Sequence, residues 1–111
     1  MLNPRHYNVK LPTIEGESRS LRTDSLKSLR QLVYVMVQST KYPYKYGDSS
    51  IFYNVTVTAT RPVGPHKVEK EDVAMFLITR NKDVYYEHFK RNEYGKVNSD
   101  GTIIKNKWYK E

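Results

Sequence analysis

Residues 51–60 alternate over ten positions, with Ile51, Tyr53, Val55, Val57 and Ala59 on one side of an extended chain and Phe52, Asn54, Thr56, Thr58 and Thr60 on the other. A period of two sustained this long fits a strand with two unlike faces. The chain must therefore build a sheet, and that sheet must bury one face against another element.

The neighbouring segments are read against that strand. Arg61-Pro62-Val63-Gly64-Pro65 ends it and opens a longer connection through Glu71. The apolar run 73–79 admits two readings: a buried strand, or the body of a helix starting near Val68 with Glu69, Glu71 and Asp72 at its N-terminus. The turn-like Arg80-Asn81-Lys82-Asp83, followed by Val84-Tyr85-Tyr86, decides for a strand and a hairpin. Turns at 92–96 and 98–101 precede a last strand at 102–109, and Gly64, Gly95 and Gly101 read as turn residues. In residues 1–22, His6 to Leu11 alternate well enough for a short edge strand, and 15–20 reads as loop, so the region is expected to be an extended arm laid across the domain.

One stretch has the other period. Leu26, Leu29, Val33, Met36 and Val37 recur every three or four residues after a capping Thr23 or Asp24, which predicts an amphipathic helix. Lys27, Arg30, Gln31, Tyr34 and Gln38 fall on its opposite, basic-aromatic side. The β-branched content of 32–37 supports a buried strand as the competing reading. The expected fold is α+β: one amphipathic helix packed on an antiparallel sheet of about four strands, in two layers. The 111 residues form one domain, since domains cluster near about 100–150 residues.

Catalytic chemistry finds little to stand on. The chain has no cysteine, which removes disulfides, thiolate metal sites and a thiol nucleophile. His6, His66 and His88 lie far apart without carboxylates at ligand spacing, so no metal and no cofactor are expected, and His88 beside Glu87 reads as a solvated strand pair. No serine sits in a nucleophile elbow and no glycine loop suits a phosphate. One enzymatic reading survives, a metal-independent ribonuclease of toxin type using Arg80, His88, Arg91, Tyr109 and Lys110. No secretory signal and no apolar run of about 20 residues is present, so a cytoplasmic location and no membrane partner are expected. Asn54-Val55-Thr56 is then an accidental glycosylation match.

The surface is more informative. Ten tyrosines occur, six of them in the cation-bearing runs Lys41-Tyr42-Pro43-Tyr44-Lys45-Tyr46, Tyr85-Tyr86-Glu87-His88-Phe89-Lys90-Arg91 and Lys105-Asn106-Lys107-Trp108-Tyr109-Lys110. The net charge is +7, from 19 basic and 12 acidic residues, and is spread along the chain rather than gathered in one segment. On the strand at 84–91, Tyr85 and Phe89 are expected to pack inward, with Tyr86 and His88 cross-pairing with the neighbouring strand. On the last strand, Ile104 and Trp108 face the core, and Lys105, Lys107 and Tyr109 face out. The loop at 41–46 is the expected contact surface, with Lys41, Lys45, Lys105, Lys107 and Lys110 on phosphates and Tyr42, Tyr44, Tyr46 and Tyr109 stacking on bases. The expected function is a small, non-catalytic basic module that binds nucleic acid or a nucleoprotein. The alternative is an inhibitor or accessory protein, of the kind phages and mobile elements encode, that binds a host protein through an acidic or DNA-binding groove.

Overall fold

The strand that the alternation predicts at 51–60 runs on to Gly64 and becomes an interior strand of a much wider sheet than expected. The structure, a computed structural model, describes residues 6–12, 18–39, 52–79 and 81–108. Along the chain these form β1 (His6–Pro12), β2 (Ser18–Thr23), α1 (Leu26–Gln38), β3 (Phe52–Gly64), β4 (Lys67–Thr79), β5 (Val84–His88), β6 (Tyr94–Val97) and β7 (Ile103–Lys105). The described residues contain seven strands, not about four, in the order β2-β1-β3-β4-β5-β6-β7 with every neighbour antiparallel. The α+β class and the helix-on-sheet arrangement hold.

Three expectations about elements are corrected. β1 lies inside the sheet, between β2 and β3, and the segment read as loop supplies the edge strand β2. The connection expected through Glu71 is strand: β3 and β4 form one long hairpin that turns at Pro65 and His66. Finally, 94–97 is β6 rather than a turn, and β7 stops at Lys105 because Asn106 turns the chain with a φ of 64°. A turn joins β4 to β5 as expected, closed between Thr79 and Asp83 by backbone and side-chain hydrogen bonds and by a left-handed Lys82; Arg80 lies outside the described residues.

Helix α1 is capped by Ser25 rather than by the expected Thr23 or Asp24; its Oγ accepts from the Ser28 amide at 3.1 Å. Leu29, Val33 and Val37 are buried at a spacing of four and pack with Val9, Leu11 and Leu21 at one end of the sheet. Val57, Ala59, Phe76, Ile78, Val84, Tyr86 and Val97 complete the core on the same side. No described element covers the other face of the sheet.

The polar side of the helix is not the free surface that its composition suggests. The Arg30 Nε donates to the Gly101 carbonyl at 2.7 Å, and the Gln38 amide donates to the Lys82 carbonyl at 2.7 Å. These bonds tie α1 to the β6–β7 and β4–β5 turns.

Candidate functional site

The register of the strands states what the uncovered face carries. Asn8 stands opposite Arg22 on one side and Thr58 on the other, and Thr58 stands opposite Asp72. The next row outward is His6, Thr60 and Lys70. Lys10 lies opposite Ser20, on the same side as Asn8. The polar half of the 51–60 alternation thus meets polar and cationic residues from three other strands, because residues directly opposed across a ladder share a face.

Between β2 and β4 this face sinks into an open groove of about 720 Å³. Lys10, Arg22 and Lys70 line it together with the amides of Asn8 and Asn54 and the hydroxyls of Ser20, Thr56, Thr58 and Thr60. All three cations are exposed. The groove is preorganised by its own bonds: Asn8 Nδ2 donates to Thr60 Oγ1 at 3.0 Å, and Thr58 Oγ1 donates to Asp72 at 3.4 Å. Three cations beside hydrogen-bonding hydroxyls and amides make a surface suited to a polyanion.

The far half of the same face is different in kind. Met75, Leu77, Tyr85 and Tyr94 follow by register across β4, β5 and β6, and Trp108 packs on Tyr85 and Tyr94 with ring centroids 5.6 and 5.9 Å away. Trp108 therefore stacks on the face opposite the helix rather than facing the helix side as expected, and at this end that face is closed, with Leu77 and Tyr85 buried. Ile103 packs against the core in place of Ile104, which is 45% exposed.

The β5 tyrosines also exchange the expected roles. Tyr86, not Tyr85, is inward and fully buried, and Phe89 is 48% exposed beyond the end of the strand. Tyr86 lies between Phe76, at a centroid distance of 5.5 Å, and the Arg30 guanidinium, 4.8 Å from its ring. Burial pushes its phenol up to about 12, so it keeps its proton, and its hydroxyl shares a hydrogen bond with His88 Nδ1 at 2.9 Å. Burial first, and the charge of Arg91 second, hold the His88 imidazole below its usual value. His88 is 8% exposed and bonded inside the fold, not a solvated partner of Glu87. Arg80, Tyr109 and Lys110, its companions in the ribonuclease reading, lie outside the described residues.

Of the expected contact residues, Lys105 and Lys107 are exposed at the β7 edge, far from the groove in strand order. Lys41, Tyr42, Tyr44, Lys45, Tyr46, Tyr109 and Lys110 lie outside the described residues. Sequence reasoning missed Lys10, Arg22 and Lys70, although the polar row from Asn54 to Thr60 that they surround was visible. Among the described residues no group of three or more His, Asp or Glu side chains is placed to hold a metal, and no helix is long and apolar enough to cross a membrane.

No family model matches the chain, and neither the curated proteins nor the solved structures contain a match to it.

Proposed function

We propose that this protein is a non-catalytic nucleic-acid-binding module whose contact face is the uncovered side of the sheet. The observation that carries the reading is the groove itself, in which Lys10, Arg22 and Lys70 come from three strands to surround a floor of hydroxyls and amides. Cations neutralise phosphates and release counterions, while neutral donors fix the register of the backbone. The tyrosines at 42, 44 and 46 supply base stacking beside Lys41 and Lys45, Lys105 and Lys107 extend the contact at the other edge of the sheet, and Tyr109 and Lys110 are assigned to the same contact from their place in the sequence.

A second reading, a host-protein partner with an acidic groove, is favoured by one observation: Val63 and Val68 are 45% and 54% exposed on the β3–β4 hairpin. Fluorescence anisotropy with labelled single-stranded and duplex DNA and RNA separates the two. The nucleic-acid reading predicts binding at low salt that weakens in Lys10→Gln, Arg22→Gln and Lys70→Gln, each of which leaves the core untouched. Absence of binding to every nucleic acid near 50 mM salt, where phosphate contacts are strong, would overturn it in favour of the protein partner.

A further inference from the structure

The β3–β4 hairpin outgrows the sheet that holds it. The described part of β1 pairs with β3 no further than Thr60, and β5 pairs with β4 only from Ala74 onward. Beyond those points, among the described residues, Arg61 to Gly64 and Lys67 to Glu69 pair only with each other, and Pro62 through Lys70 are all exposed. At about 3.3 Å per residue this ribbon projects roughly 15 Å from the body of the protein.

A bare two-stranded ribbon is marginal in water, yet this one carries stiffening prolines at 62 and 65 and an uncompensated positive end. Arg61 is paired with Glu69 across the ribbon; Lys67 and Lys70 extend the positive charge of the groove outward. The face of the ribbon is continuous with the groove: Thr58, then Thr60 opposite Lys70, then Pro62 opposite Val68. The outgoing row is therefore methyl-bearing and flanked by lysine.

We infer that this ribbon is an arm that enters the major groove of duplex DNA, with Val68 against thymine methyls and Lys67 and Lys70 on the flanking phosphates. The inference rests on the nucleic-acid reading above and goes further by naming duplex DNA and the groove. Two strands about 4.8 Å apart, with their side chains, match a major groove about 12 Å wide and not a minor groove about 6 Å wide. The thymine methyl is displayed only in the major groove, where apolar contacts can read it. Charge complementarity selects the occupant, since Lys10, Arg22 and Lys70 line the groove and Lys67, on the reverse face of the ribbon by alternation, adds an exposed cation near its tip.

The test compares a labelled AT-rich duplex with the same duplex carrying uracil for thymine, which deletes the major-groove methyls and nothing else. The wild-type protein is expected to bind the uracil duplex more weakly, by about fourfold for each methyl that the arm would otherwise cover. In the Val63→Ser/Val68→Ser protein, whose changes are exposed and whose fold is checked by circular dichroism, that discrimination should vanish while binding persists. Lys67→Gln should weaken both duplexes equally. Equal wild-type affinity for the two duplexes, with valine variants that bind as wild type does, would overturn the arm and leave the groove reading standing. Failure to bind any DNA or RNA would overturn both.

Discussion

Tyr86 and His88 show how a residue that resembles a surface contact becomes structural. Tyrosine and histidine beside lysine and arginine suggest an exposed binding strand, but alternation fixes only that Tyr85 and Tyr86 face opposite ways. Which one faces the helix is decided by Arg30, whose guanidinium covers the Tyr86 ring while its Nε reaches Gly101. Tyr86→Phe removes the hydrogen-bond partner of a buried imidazole and is expected to cost about 1–3 kcal/mol in denaturant unfolding. His88 also makes a pH prediction. Because its folded imidazole titrates below the ordinary value of about 6.5, stability is complete above that pH. It declines as the pH falls from there toward the folded value, since the unfolded chain takes up a proton that the folded one refuses. Urea unfolding at pH 7.5 and 5.5 should show this loss, and His88→Gln should reduce the difference between the two.

At the scale of elements, legibility depended on how many apolar residues each element spends. Helix α1 was readable because Leu29, Val33 and Val37 repeat every four residues, and Leu29→Ala should cost about 2–5 kcal/mol by leaving a cavity in the core. Strand β3 was readable for the corresponding reason at period two. Strand β2 was not, because Leu21 is its one buried apolar residue and the rest of Ser18–Thr23 is serine, arginine and threonine, the composition of a loop. Strand β6 was obscured by Gly95, which reads as a turn residue. Its glycine is required by packing instead, since a Cβ there would collide with the Ile104 carbonyl of β7. Gly101 is a true turn residue: φ is +90°, and a Cβ would strike the Lys27 carbonyl of α1. Gly101→Ala is therefore expected to strain the backbone and push the β6–β7 turn off the helix. Its midpoint should fall in thermal unfolding, whereas Gly64→Ala, which meets only the Lys67 side chain at ordinary contact distance, should be far milder.

At the scale of the whole molecule, function depends on what one helix leaves uncovered. Among the described residues, a single 13-residue helix packs on one side of seven strands and leaves the other side to threonine, asparagine and cations over β1 to β4 and to Tyr85 and Tyr94 under Trp108, beside Glu87 and Lys96, over β5 and β6. The groove was invisible in the sequence because Lys10, Arg22 and Lys70 are 12 and 48 residues apart along the chain and converge only through the order β2-β1-β3-β4. The tyrosine-rich segment at 41–46 was conspicuous for the opposite reason, its residues being contiguous.

The most direct test of this account is the salt dependence of duplex DNA binding, measured by anisotropy from about 50 to 200 mM salt for the wild type and for the Lys10→Gln/Arg22→Gln/Lys70→Gln protein. Each phosphate that a variant no longer neutralises removes about 0.9 from the slope of log K against log salt, so the triple variant should be shallower by nearly 3. An unchanged slope, with affinity also unchanged, would show that phosphates do not lie in the groove and would contradict the assignment of the uncovered sheet face as the contact surface.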